Sequence, residues 1–471
     1  MTYRPLSPVA ISRLTELCAP ERVITDPAAL ADYGHDESVE TPHLPEALVR
    51  AASTEEVSAV LRLASEEHVP VTPRGLGTGL SGGAVPLRGG IVLSLELMKD
   101  TAVDTGNLMV ETGPGSTTAR VQQTCADSGL YYPVDPASLD DCSIGGNVAE
   151  NAGGARAFKY GVTGDYLRGV EAVLASGEII RYGGKLHKNV VGYDLNRLLI
   201  GSEGTLAVIT GITLRLIPKP RYLVDLLIPF ERMSQGLELV ARLVHDQRLM
   251  PAVVEFIEHK GVCAANQVMK DALPFPDARV QVLVELDGND RQRVMDDCVA
   301  VGELAMRLGA REPLVADNPT DQDRLWHARR ELHNILKEVY AGLATEDIVV
   351  PLSEINTTIE KLELLEQKHG VPIVPWGHIG DGNIHVGMCR EDKTGSRQQW
   401  LERKRAIVSD LADFVLSRGG QISAEHGIGS TKKWLMKRAV GPQELALMQS
   451  LKHALDPEGI LNPGKILPDE Q

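Results

Sequence analysis

The sequence predicts an α+β protein of more than one domain, and three observations carry that expectation. At 471 residues the chain is longer than one hydrophobic core usually serves. From Ala47 to Leu216, short apolar runs alternate with helical periodicity in βαβ-like order. Beyond Pro218-Lys-Pro220 the texture changes to strands separated by amphipathic helices, the pattern of an antiparallel sheet with helices packed on it. The expected division is 1–220, 221–420 and a helical C-terminal segment, 421–471, that carries its own glycine cluster.

Each element has a local reason. Residues 47–51 read as a strand and 53–67 as a helix, with Ser53 as N-cap and Glu56 completing a capping box. Residues 69–72 form the next strand, followed by a first glycine cluster at 75–83. A helix over 117–128 precedes a second cluster at 143–154, and strands recur at 171–175, 178–182 and 206–216. After the proline break, 223–228, 252–257 and 280–286 are strand-like, whereas 232–247 and 290–308 have helical periodicity.

Composition excludes several classes. With 64 acidic against 48 basic residues the formal charge is −16, which argues against a nucleic-acid surface but leaves room for a local cationic site. The six cysteines are scattered without a CxxC, so a disulfide framework, a zinc ribbon and a cysteine-bound iron–sulfur cluster are all unsupported. No secretory signal and no run of about 18 apolar residues is visible. The expectation is a cytoplasmic protein that reaches a membrane only through a partner.

Gly77-Thr-Gly79-Leu-Ser-Gly82 satisfies GxGxxG after a strand. The dinucleotide fingerprint also needs a helix to start there; here another glycine turn and another strand follow. The cluster reads better as a loop whose successive N–H groups form an anion nest. Simple turn geometry is the bland alternative, and the second cluster, Ser143-Ile-Gly145-Gly146-Asn147, together with Gly201-Ser-Glu203-Gly204, weighs against it.

The three stretches RGLGTGLSGG, SIGGNVAENAGG and KNVVGYDLNRLLIGSEGTL resemble the FAD-linked oxidases of the vanillyl-alcohol oxidase/PCMH group. Within that group the similarity is greatest to the branch of the glycolate oxidase catalytic subunit, D-lactate dehydrogenase and D-2-hydroxyglutarate dehydrogenase. It spans about residues 45–467. The resemblance implies a PCMH-type FAD-binding domain of two α/β subdomains, a substrate (cap) domain and a tail returning to the flavin. Pro73, Arg74, Gly75, Gly77, Thr78, Gly79, Leu80, Ser81 and Gly82 would surround the pyrophosphate. Ser138, Ser143, Ile144, Gly145, Gly146, Asn147, Asn151, Gly153, Gly154, Tyr160, Gly161, Glu203, Gly204, Ile209 and Asn462 would line the rest of the cofactor. FAD is expected to be non-covalent: covalent members tether it through a His near the pyrophosphate loop, and residues 73–90 contain none. Cys142 also lacks the spacing of family cysteine tethers.

Trp376-Gly-His378-Ile-Gly-Asp381-Gly382-Asn-Ile-His385 carries a hairpin signal at Asp381-Gly382. In a two-residue hairpin there, His378 and His385 stand directly opposite with Cβ atoms ~4.5–5.5 Å apart, suited to one ion. A stacked histidine pair without metal is the alternative. Glu425-His426 adds a carboxylate and a third imidazole between flexible glycines, and His378, His385 and Glu425 together suit Zn or Mn. The family branch uses such a His, His, Glu site, with its base at the His beside the Glu. That implies His426 as catalytic base, with a fourth metal ligand as its other reading.

Leu325-Trp-His-Ala-Arg329 resembles the family segment whose Arg binds the substrate carboxylate, so Arg329 is the expected anchor. Thr345 and Gly387 stand where the 2-hydroxyglutarate enzymes place a Lys and an Asn on carboxylate groups. The expected reaction is therefore oxidation of a small D-2-hydroxy acid such as D-lactate or glycolate. Electrons would pass to an external acceptor: a quinone, an electron-transfer flavoprotein, a cytochrome or an iron–sulfur subunit. An oxygen-using alcohol oxidase of the same fold and a non-catalytic partner subunit are the competing readings.

Overall fold

The computed structural model describes residues 3–38, 40–271, 273–391 and 396–469. The chain forms two compact units. The first comprises Met1–Gly154, Gly161–Lys219 and Glu425–Gln471, the second Ala155–Tyr160 and Pro220–Ala424. The sequence therefore crosses between units four times, and the proline break at Pro218-Lys-Pro220 is one of the crossings.

In the first unit a four-stranded sheet orders Val23–Ile24, Ala47–Arg50, Ile91–Ser94 and Val71–Arg74, the last three parallel. Helix Thr54–Glu67 links two of these strands; Ser53 caps it, its hydroxyl accepting from Glu56 N at 3.3 Å. Glu56 does not close the box on Ser53 itself. It accepts instead from Ala52 N and takes both guanidinium nitrogens of Arg22, at 2.6 and 2.7 Å. The following strand starts at Val71 instead of 69 because Val69 N is still bonded to the helix through Ala64 O. A second, antiparallel sheet orders Thr101–Asp104, Met109–Thr112, Val208–Arg215, Leu167–Val173 and Ile179–Gly183. The second glycine cluster folds as the short helix Ile144–Glu150, with Ser143 Oγ accepting from Gly146 N at 3.2 Å. The tail contributes helix Pro442–Leu455 and then lays Leu461 beside Val71 as a parallel bridge.

The second unit is a seven-stranded antiparallel sheet ordered Leu314–Ala316, Tyr222–Phe230, Val280–Gly288, Val253–Glu258, Ile373–His378, Asn383–Arg390 and Gly342–Val349. Helix Pro319–Val339 packs on one face through Leu325, Ala328, Leu332 and Leu336. The hairpin register corrects the sequence expectation. Four residues, Ile379 to Gly382, form the loop, so His378 pairs with Asn383 and His385 with Trp376. The amides of Asp381 and Gly382 both turn back onto His378 O, and Gly382 takes φ +87°. The tighter two-residue turn is thereby replaced. Opposed residues share a face and so do positions two apart on one strand. His378 and His385 thus remain on the same face as diagonal neighbours, with ring centroids 5.3 Å apart.

Candidate active site

In the first unit the glycine loop is held from behind. Gly77 and Gly82 adopt φ +78° and +81°, which a side chain would resist. Lys465 Nζ, buried, donates to the carbonyls of Gly82 and Val85; Asn462 Nδ2 donates to those of Gly83 and Glu203. Ser430 N and Thr431 N both bond Ser81 O, at 3.0 and 3.2 Å. With its carbonyls engaged on the tail side, the loop has amides left to offer an anion, the arrangement a pyrophosphate nest needs. The two glycine clusters also touch. A Cβ on Gly75 would lie 2.0 Å from Ser143 Oγ, and one on Gly145 would lie 2.5 Å from Pro114 Cβ. Both positions need bare backbone, so the cradle fits a close-lying cofactor.

Other expected cofactor residues lie in the same unit but spend their side chains internally. Arg74 donates to His35 O at 2.7 Å and Asp32 O at 3.4 Å. Asn147 Nδ2 bonds Thr118 Oγ1 at 2.6 Å, and Asn151 Oδ1 accepts from Gly164 N at 2.9 Å. Ser138 O receives Cys142 N at 2.7 Å, Gly79 O receives Glu37 N at 3.0 Å, and Ile144 and Ile209 are buried in the core. Gly204 packs against Pro73, and Gly154 and Gly161 flank the excursion into the second unit. Thr78 and Leu80 sit within the loop itself, half-buried. Tyr160 departs from the group: it belongs to that excursion, and its hydroxyl bonds Asp287 of the second unit.

Burial opposes both charges behind the nest. It pulls the Lys465 ammonium down to about 8 against the upward influence of Asp36, Glu40 and Glu203. It pushes the Glu203 carboxyl up, countered by hydrogen bonds from Ile428 N and Gly429 N at 2.8 and 2.7 Å. Those bonds tether the tail just after His426. Gly427 (φ +81°) and Gly429 (φ +49°) are crowded there, and a Cβ on Gly429 would lie 2.0 Å from Ser81 O. Glu425 lies over Gly153, whose Cβ would come within 2.9 Å of its Oε1.

In the second unit, cross-strand register gathers polar residues on the face under helix Pro319–Val339. Asp347 opposes His385, His378 opposes Glu255, and Asp225 opposes Glu285. Glu255 is fully buried, hydrogen-bonds His378 Nδ1 through Oε1 and forms an ion pair with Arg329 Nη2 through Oε2 at 2.5 Å. Asp347 accepts from Ser423 Oγ at 3.0 Å and Ala424 N at 2.7 Å, which fixes the chain immediately before Glu425. His378 and His385 present two imidazoles on this face, ring centroids 5.3 Å apart, a donor pair that fits a divalent ion. Arg329 Nε is buried without a hydrogen-bond partner among the described residues and borders a small cavity lined by Leu227, Leu283, Leu325 and Gln281.

Known families match the chain on both sides of Pro218. A family described as "FAD linked oxidases, C-terminal domain" matches residues 219–466, and one described as "FAD binding domain" matches 45–183. The chain belongs to the FAD-linked oxidases. It is 36% identical over 471 residues to a protein named D-lactate dehydrogenase from Anaerostipes hadrus, covering 98% of each chain. It is 34% identical to glycolate oxidase subunit GlcD from Bacillus subtilis, covering 96% of each. A D-2-hydroxyglutarate dehydrogenase from Stutzerimonas stutzeri is 31% identical, with 98% and 99% covered. Among solved structures, p-cresol methylhydroxylase with substrate bound superposes with TM-score 0.81 at 19% identity, covering 98% and 96%. 4-Ethylphenol oxidase from Gulosibacter chungangensis gives 0.79 at 20%, covering 100% and 99%. These two show the fold, which is PCMH-type.

This FAD-linked oxidase is thus an FAD-dependent oxidoreductase, in a branch whose relatives are named for D-lactate, glycolate and D-2-hydroxyglutarate. Sequence reasoning missed several of its structured groups: Glu255, Asp347, Lys465 and the acid pair Asp225 and Glu285. One signal was available. Asp225, Glu255 and Glu285 are each flanked on both sides by apolar residues inside strand runs (YLVDLLIPF, VVEFIE, VQVLVELDG), where a charge requires a partner.

Proposed function

We propose that this FAD-linked oxidase converts a small D-2-hydroxy acid, D-lactate or glycolate, into its 2-oxo acid with the aid of a divalent ion, Zn or Mn. The observation that carries this reading is the placing of His378 and His385 as neighbours on one sheet face with ring centroids 5.3 Å apart; Glu425, with His426 next in the chain, would complete the ion's ligands. When bound, FAD supplies a hydride acceptor for the substrate C2, and the ion supplies a Lewis acid that acidifies the hydroxyl. His426 removes the hydroxyl proton; an imidazole suits the task because its ordinary pKa of ~6.5 keeps a large neutral fraction at pH 7. Arg329 holds the substrate carboxylate through N–H groups that Glu255 leaves over, a role supported by its buried Nε, which has no hydrogen-bond partner among the described residues. The loop around Gly75–Gly82, Ser143 and Asn462 holds FAD without a covalent bond.

A monocarboxylate is favoured by two positions. Thr345 Oγ1 is engaged with His333 Nδ1 at 3.1 Å, and a Cβ on Gly387 would lie 2.8 Å from the Trp376 ring. Neither offers a cation to a second carboxylate. No helix among the described residues is long and apolar enough to cross a membrane; the electrons leave to an external acceptor, a quinone, electron-transfer flavoprotein, cytochrome or iron–sulfur subunit.

Anaerobic mixing of the yellow protein with D-lactate, glycolate or D-2-hydroxyglutarate tests the reading. Flavin bleaching with kcat/KM highest for D-lactate or glycolate is expected. No bleaching by any of them refutes the activity, and a clear preference for D-2-hydroxyglutarate refutes the substrate ranking. Acid precipitation should release FAD into the supernatant, whereas flavin kept on the pellet would show a covalent tether.

A further inference from the structure

Glu255 sits in the middle of strand Val253–Glu258, between the buried Val254 and Phe256, with no solvent exposure. An ionised carboxylate there is costly to bury unless it is paired and hydrogen-bonded. It has two partners, which come from different elements: His378 Nδ1 from the opposed strand and Arg329 Nη2 from the helix above. An imidazole that donates from Nδ1 to a carboxylate is held in one tautomer, with the Nε2 lone pair left to bind an ion. The carboxylate also fixes the ring plane, and the planar guanidinium fixes the carboxylate in turn.

We propose that Glu255 is a positioning residue of the metal site: it accepts the hydrogen bond from His378 Nδ1–H, so that Nε2 is presented to the ion, and is itself clamped by Arg329. The inference rests on the reading of His378, His385 and Glu425 as metal ligands. It gives Arg329 a task besides substrate binding, since its Nη2 belongs to the chain Arg329–Glu255–His378. A carboxylate that only neutralised Arg329 would leave metal affinity untouched when altered.

The test measures Zn and Mn dissociation constants of the FAD-loaded full chain by competition with a chromophoric chelator, alongside FAD content and Tm. Glu255→Gln removes the charge that anchors the ring, and metal affinity should fall by about 10–100-fold. Glu255→Asp keeps a negative charge for Arg329 but withdraws it by one methylene, so it serves where Gln prevents folding; it should also weaken the ion while FAD content stays at the wild-type level. Arg329→Lys should raise KM for the substrate and, by loosening Glu255, weaken the metal as well. Wild-type metal affinity in both Glu255 variants overturns the inference alone. A wild-type protein that binds neither ion overturns the metal reading and the inference with it.

Discussion

The two units build their sites from opposite materials. In the first, the nest is backbone: glycines at positive φ, carbonyls pinned by Lys465 and Asn462, and polar side chains such as Arg74, Asn147 and Asn151 turned inward to hold loops. In the second, the site is side chain: histidines, acids and Arg329 stand on a sheet face whose backbone is ordinary antiparallel ladder. A backbone site fails by steric intrusion and a side-chain site fails by loss of one charge. The two should therefore break in different ways and independently.

Metal removal makes the largest test of that independence. Exhaustive chelation should abolish turnover while the flavin spectrum persists, with activity restored by Zn or Mn. Flavin lost together with the metal would break the comparison, and full activity after verified removal would refute the metal. His426→Ala comes next, because His426, the proposed base, lies on the tail segment that Glu203 tethers through Ile428 N and Gly429 N. Flavin reduction should slow by ~10²–10⁴-fold with FAD and metal retained. A variant that instead loses metal, and regains normal reduction when it is resupplied, makes His426 a ligand. Gly429→Ala probes the backbone side. Its Cβ would meet Ser81 O at 2.0 Å on a φ of +49°, so stability should drop by roughly 2–4 kcal/mol. FAD should dissociate more readily in spectroscopic titration, while metal affinity stays unchanged.

The smallest effect lies in the buried acid pair. Burial, then the neighbouring Glu285, pushes the Asp225 carboxyl up to about 8. Because the folded value exceeds the unfolded one near 3.8, the native state holds a proton that the unfolded chain releases between about pH 4 and 8. Stability from this group therefore falls as pH rises through that window. Asp225→Asn removes the dependence while still accepting from Trp326 Nε1, which bonds Asp225 at 3.3 Å. The stability advantage of the variant over wild type should grow steadily as pH rises from 5 to 8. A constant difference in Tm across that range would show that Asp225 is ionised throughout.

What the sequence disclosed follows the same division. The nest was legible because glycines in a fixed order have few other uses, and the failure of a helix to follow Gly82 separated it from a dinucleotide fold. The histidine pair was legible in composition but not in register: Asp381-Gly382 signals a tight turn, yet the turn residue amides bond His378 O across a four-residue loop. The pair survives because side chains alternate with period two, so a shift by two residues keeps both rings on one face. Glu255 was not legible as a partner of His378, since 123 residues separate them and only the strand order brings them together. Tyr160 stands apart for the converse reason: its neighbours in sequence, Gly154 and Gly161, lie in the other unit.

The tail has a consequence for how the protein is made. Asn462 and Lys465 close the loop at Gly82–Val85, and Leu461 pairs with Val71, so strands synthesised early wait for residues nearly 400 positions later. At a translation rate of ~5–20 residues per second, the glycine loop emerges from the ribosome tens of seconds before the groups that brace it. Until those groups arrive, the early strand Val71–Arg74 exposes an edge that Leu461 will cover, and an open edge invites pairing with other chains.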